Sequence, residues 1–140
     1  MSMNIVITKD EPKEPNEVHI AQLNNIELSV IDELNLQNCA DYIPEQNRVQ
    51  LLMAAAQKLR YGGKLIVHGL DLVAISELIY NGMTNLATVN NMIYDKDRKS
   101  AGSMHSVANI LRVNCGLRVI QQRIDKMFYY IEAERPNAKR

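Results

Sequence analysis

The clearest hydrophobic pattern in the chain runs from Asn47 to Asp71, NRVQLLMAAAQKLRYGGKLIVHGLD. Val49, Leu52, Met53, Ala56 and Leu59 recur at the spacing of one helix face, with Gln50, Gln57, Lys58 and Arg60 outside it. That pattern predicts an amphipathic helix. Tyr61-Gly62-Gly63 predicts its stop, because glycine takes the left-handed backbone of a helix end without a Cβ clash. Lys64–Val67 follows at once and reads as a short strand. Its apolar residues do not alternate with polar ones, as expected for a strand covered on both faces. Helix, glycine turn and buried strand in succession define an α/β layer protein.

The pattern extends in both directions. Upstream, Asn4–Thr8 reads as a first strand, and Pro12 and Pro15 exclude a regular helix from the polar run Glu11–Glu17. Val18–Leu23 alternates and predicts a second strand, with a turn at Asn24-Asn25. Ile26–Ile31 fits a helical turn or a strand equally, Asp32–Asn38 predicts another strand, and Cys39–Pro44 a loop. Downstream, Asp71 is placed to cap a helix over Leu72–Asn81 that Gly82 closes. Leu86, Val89 and Ile93 mark another short helix, and Asp95–Ser103 a charged, flexible loop. Ser103 or Ser106 can cap Val107–Asn114, which Gly116 ends. A closing antiparallel hairpin follows, with alternation before and after a turn at Asp125-Lys126.

The length of 140 residues suits one domain, with a core over 17–136, a linker at 9–17 and a tail at 137–140. Sixteen basic and sixteen acidic side chains cancel, so no global field draws the chain to nucleic acid or to an anionic membrane. Cys39 and Cys115 read as free core thiols of a reducing compartment, which makes a cytoplasmic location the expectation. The N-terminus lacks the basic and apolar segments of a secretory leader, and no apolar run is long enough to span a membrane.

The order of these elements resembles the C-terminal half of class I S-adenosylmethionine-dependent methyltransferases. The resemblance rests on DELNLQNCADYIPE, the amphipathic helix, LRYGGKLIV, the aspartate-capped helix, a mobile loop, a helix ending in CGL and the hairpin. In that family the helix before the fifth strand usually ends in leucine, arginine or lysine, proline, glycine, glycine. Here Tyr61 stands in place of the proline. The match covers Ile26–Pro136. It implies a three-layer Rossmann-like sheet, shortened at the N-terminus, with S-adenosylmethionine as cofactor and the segment Leu36–Tyr42 beside it. One departure matters: the family grips its cofactor with an acidic, glycine-rich loop after the first strand, where close backbone approach excludes Cβ atoms. In this chain Asp10, Glu11, Pro12, Lys13 and Glu14 follow that strand, and no glycine precedes Gly62. The expected cofactor pocket is therefore incomplete.

Ligands in open α/β sheets sit beyond the carboxyl ends of the parallel strands. Three groups of candidates fall there: Asp10; Asn38 with Asp41 and Tyr42; and His68 with Asp71. His68 is a candidate general base whose tautomer a carboxylate at Asp71 would fix; alternatively Asp71 is only a helix cap and His68 a loop residue. Asp10, Asn38, Asp41 and Tyr42 are the cofactor-binding candidates that the resemblance implies, although the last three also suit an ordinary turn before Pro44. His19, His68 and His105 are too scattered for a zinc site. No nucleophile elbow or phosphate loop is present. Phe128, Tyr129 and Tyr130 lack the basic surroundings of a base-stacking surface.

Two functions fit. One is a methyltransferase-like enzyme acting on a small-molecule or glycan acceptor. The other is a non-catalytic module that keeps the scaffold and works as a homo-oligomer, which would cover a bare sheet face or an unpaired edge strand.

Overall fold

The computed structural model describes residues 3–36, 39–94 and 98–137. Strands β1 (Asn4–Thr8), β2 (Glu17–His19), β3 (Ile31–Leu36) and β4 (Leu59–Leu70) are joined by a hairpin of β5 (Arg118–Asp125) and β6 (Phe128–Glu134). Helices α1 (Arg48–Lys58), α2 (Leu72–Tyr80), α3 (Leu86–Ile93) and α4 (Met104–Val113) complete the regular structure. The sheet runs β2-β1-β3-β4-β6-β5. β2, β1, β3 and β4 are parallel, β6 is antiparallel to β4, and β5 is antiparallel to β6. This is the Rossmann-like sheet that the resemblance implies, with the terminal antiparallel hairpin that the patterning predicts.

Strand register sorts the side chains into two faces. Ile7, Leu36, Val67 and Ile131 form one cross-strand row, and Ile5, Leu34, Leu65 and Ala133 the next. Leu52, Ala55 and Ala56 of α1, with Val107, Ala108 and Leu111 of α4, close over these rows to make the main core. Each large aliphatic side chain buried there contributes about 1.5–3 kcal/mol. The opposite face carries Val6, Asn35, Ile66 and Glu132 in one row, with Lys64 bridging to Glu132 at 3.2 Å. There α2 and α3 cover only the carboxyl end, where Leu70 packs against Ile75 and Val89.

Four local expectations change in the folded chain. The second strand stops at His19, whose ring Nδ1 accepts the Ala21 amide and starts a 3-10 turn over Ile20–Asn25. Helix α1 is rotated from the simple apolar face: Met53 is 38% exposed while Arg48 and Lys58 are buried. Lys58 reaches the Ile26 carbonyl at 2.8 Å, so its stem covers apolar surface and its ammonium still finds an acceptor. The helix also ends before the glycines, because Leu59 is already extended and pairs with Ile31. The next pairing is Glu33 with Lys64, so Arg60–Gly63 bulges out of register. Gly62 takes the left-handed conformation there (φ +84), and a Cβ on Gly63 would lie 2.7 Å from the Ile31 carbonyl oxygen. Finally, α4 begins at Met104, three residues early, with Ser103 as its cap.

Candidate functional site

At the carboxyl ends of β1, β3 and β4 the chain gathers four charged side chains out of water. Asp41, in the 3-10 turn Cys39–Tyr42, is 1% exposed, Asp71 1% and Arg48 3%. Arg98 joins them through its Nη1, which lies 2.6 Å from Asp41 Oδ2. Buried charges persist when paired or hydrogen-bonded: Asp41 lies between Arg98 and Arg48, and Asp71 is held by backbone amides. Asp41 Oδ2 also accepts the Leu70 amide at 2.9 Å, and its Oδ1 lies 3.7 Å from Arg48 Nη2. Burial pushes the Asp41 carboxyl above the usual carboxylate range, against the opposing pull of the Leu70 amide, Arg98 and Arg48.

The residues from Arg98 to Gly102 form a strap across this end. Lys99 and Ser100 donate their amides to the Asp41 carbonyl at 2.8 and 3.0 Å. Arg48 donates to Ser100 Oγ at 2.6 Å and to the Ala101 carbonyl at 3.4 Å. A Cβ on Gly102 would lie 2.5 Å from Arg48 Nη1, so a larger residue there would have to displace the guanidinium. The loop expected to be flexible is therefore anchored over residues 98–102; Asp95, Lys96 and Asp97 lie outside the described residues.

Asp71 acts as a double cap. Its Oδ1 accepts the Ala74 amide at 2.9 Å and its Oδ2 the Met104 amide at 2.7 Å. One carboxylate thus satisfies free donors at the starts of both α2 and α4. His68 is not joined to it by a hydrogen bond. The imidazole instead meets the Tyr130 ring edge-on at 5.3 Å, and its Nε2 is buried without a hydrogen-bond partner among the described residues. Burial, reinforced by the Arg123 guanidinium, holds the His68 pKa below its ordinary value. The oriented base expected from the His68 and Asp71 spacing is not formed.

Asp10 and Tyr42 do come together. They line a hollow of about 330 Å³ with Thr8, Lys9, Lys13 and Glu17, which stands near the lower end of small-molecule pockets at about 300–1,000 Å³. Glu17 braces its wall: the Lys13 and Glu14 amides donate to Glu17 Oε2 at 2.6 and 2.9 Å, which also holds that carboxyl below its ordinary pKa. Lys9 Nζ stands 4.6 Å from the Tyr42 ring centroid and the Arg98 guanidinium 5.1 Å. Asn38 lies outside the described residues. No group of three His, Cys, Asp or Glu side chains able to hold a metal occurs among the described residues.

Sequence reading missed Arg48 and Arg98. Arg48 had a signal: it lies four residues before Leu52, on the buried side of α1, and an arginine in an apolar stripe calls for an acid partner. Arg98 had none, since its partners are distant in sequence.

The fold is that of class I S-adenosylmethionine-dependent methyltransferases. The sequence matches no protein-family model and no curated protein. Among solved structures, the chain is similar to an O-methyltransferase family protein from Burkholderia thailandensis, with TM-score 0.63 and 16% identity over 88% of this chain and 36% of that one. An O-methyltransferase family 2 protein from Planctomyces limnophilus, in complex with apigenin, gives TM-score 0.57 and 19% identity over 74% of this chain and 30% of that one. A SAM-dependent methyltransferase from Archaeoglobus fulgidus gives TM-score 0.60 and 14% identity over 85% and 67%. The chain therefore spans about a third of the first two proteins. No helix among the described residues is long and apolar enough to cross a membrane.

Proposed function

We propose that this chain is a non-catalytic module on a methyltransferase scaffold, acting through self-association rather than methyl transfer. The observation that carries the reading is the state of the acids at the strand ends. Asp41 and Asp71 are 1% exposed, and their bonds run to backbone amides and to guanidinium groups of the same chain. Both Asp71 oxygens are taken by amides, and Asp41 Oδ1, which makes no hydrogen bond among the described residues, is enclosed 3.7 Å from Arg48 Nη2, so neither acid faces an open site.

The remaining hollow does not fit the cofactor. Its lining sets Lys9 and Lys13 among Asp10, Glu11 and Glu17, so the misfit is one of backbone shape rather than of charge. Every residue of the loop Lys9–Asn16 carries a Cβ, so the backbone cannot approach a ligand as a glycine loop does. Association has its own support. Between Leu72 and Tyr94 the only charged residue is Glu77, and Val73, Tyr80, Met83, Leu86 and Tyr94 are exposed. Exposed apolar and aromatic side chains without charges characterise interface cores. A cytoplasmic location belongs to the proposal, supported by the free thiol at Cys115.

Calorimetric titration with S-adenosylmethionine and S-adenosylhomocysteine tests this reading. The expected result is no binding tighter than about a millimolar, about −4 kcal/mol. The opposing reading, an enzyme for a small-molecule or glycan acceptor, draws on the shared hollow of Asp10 and Tyr42. Tighter binding that weakens on Asp10→Ala or Tyr42→Ala would establish it and overturn ours.

A further inference from the structure

Strand β5 closes one side of the sheet, and among the described strands it pairs only with β6. It is longer than the opposite edge strand β2, which covers only Glu17–His19. Apart from Val119, every residue of β5 is exposed, including Ile120 at 46% and Ile124 at 43%. An exposed edge of this kind offers unpaired backbone donors and acceptors to another strand. Its side chains then decide which strand fits.

Arg118 and Asp125 stand at the two ends of β5, opposite Glu134 and Phe128 of β6, and so share one face of the sheet. Val119 and Ile124 stand opposite Ala133 and Tyr129 and share the other. We propose that β5 pairs antiparallel with β5 of a second copy of this chain, about a two-fold axis through Gln122. The pairing continues one sheet through both molecules. The inference rests on the self-association proposed above and assigns its surface.

In this register Arg118 of each copy faces Asp125 of the other, and Val119 faces Ile124. A two-fold axis makes each contact occur twice. Opposite charges and apolar pairs directly across a ladder favour pairing, and like charges oppose it. Slipping the register selects against itself. One residue of slip sets Arg118 against Ile124 or Lys126, and two in one direction sets it against Arg123. Only the proposed register opposes Arg118 with an acid. The register shift between Val119 and Gln121 sets Ile120 aside as a bulge once in each copy, so Gln121 meets Arg123 and Gln122 meets its own copy, with paired side chains on one face.

The fit extends beyond the strand. Ile124 lines a hollow of about 270 Å³ with Val73, Ala74, Glu77 and Leu78 of α2, so Val119 of the second copy arrives at the rim of a hollow with an apolar wall. Arg118 also reaches Glu134 at 2.8 Å within its own chain, yet it is 69% exposed and keeps donors for a second acid. Asp125 has no ion pair among the described residues.

Sedimentation equilibrium of the full chain and its charge variants tests the proposal, with circular dichroism melts to verify folding. The expected species has twice the 15.9 kDa chain mass. Asp125→Arg or Arg118→Asp should each weaken dimerisation roughly thirtyfold by turning two attractive pairs repulsive. The double exchange Arg118→Asp with Asp125→Arg should restore it, and Glu134→Gln should leave it unchanged. A dimer indifferent to both single variants overturns this interface and leaves self-association standing. A monomer at every concentration overturns both. The cofactor titration is a separate measurement, so its failure is distinguishable from either.

Discussion

Replacing Asp71 by alanine separates the structural role of this carboxylate from a catalytic one. Two donors lose their acceptor at once: the Ala74 amide at 2.9 Å and the Met104 amide at 2.7 Å. Loss of a helix N-cap costs about 0.5–2 kcal/mol, and leaving a buried amide unpaired about 1–3 kcal/mol. Allowing for some hydration of the freed amides, the expected loss is about 2–4 kcal/mol, a large share of the about 5–15 kcal/mol that stabilises an ordinary domain. For a chain of this size that lowers the melting temperature by about 8–16 °C. Asp71→Asn keeps one acceptor oxygen and should lose roughly half as much. Urea unfolding followed by circular dichroism measures both, with an unchanged m-value showing that two-state unfolding persists. A double-mutant cycle with His68→Ala should be additive within about 0.5 kcal/mol, because no hydrogen bond joins the pair. An Asp71→Ala protein as stable as its parent, or strong coupling to His68, would refute the double-cap account.

Two further outcomes follow from the geometry. Gly63→Ala should destabilise more than Gly62→Ala in the same urea experiment: the first drives a Cβ to 2.7 Å from the Ile31 carbonyl oxygen, while the nearest atom to the second is Asn137 Oδ1 at 3.7 Å. Gly62→Ala then costs only the left-handed strain of about 1–2 kcal/mol; the reverse order would show that the bulge at Arg60–Gly63 is misassigned. For His68, burial and then Arg123 lower the pKa from the ordinary 6.5, so the folded chain keeps a neutral imidazole where the unfolded chain binds a proton. Its contribution to stability is complete above pH 6.5 and is lost as pH falls from there through the lowered folded value. Proton resonances of the His68 ring should titrate below 6.5, and Arg123→Gln should raise the midpoint; a midpoint at or above the ordinary value would contradict the burial.

The resemblance and the chain's own patterning were enough to place the α/β sheet and its closing hairpin. They did not separate the candidate acids by role. Asp41 read as a pocket residue because it follows a strand, the position where α/β proteins hold ligands, while Asp71 read both as a helix cap and as the partner of His68. In the folded chain their oxygens meet partners that sequence cannot supply: Arg98 lies 57 positions from Asp41, and Met104 lies 33 from Asp71. Asp10 and Tyr42, by contrast, share one hollow.

The sequence by itself determined what depends on neighbours along the chain. Strand β1 at Asn4–Thr8, the cap at Asp71, the left-handed stops at Gly82 and Gly116 and the turn through Lys126 are set by periodicity and by hydrogen bonds a few residues long. Tertiary structure alone decided which side of α1 turns inward, where β4 bulges and what the strap from Arg98 to Gly102 rests on. Burying Arg48 and Lys58 is favourable only once acceptors from distant segments surround them, and those acceptors exist only when the whole sheet has formed.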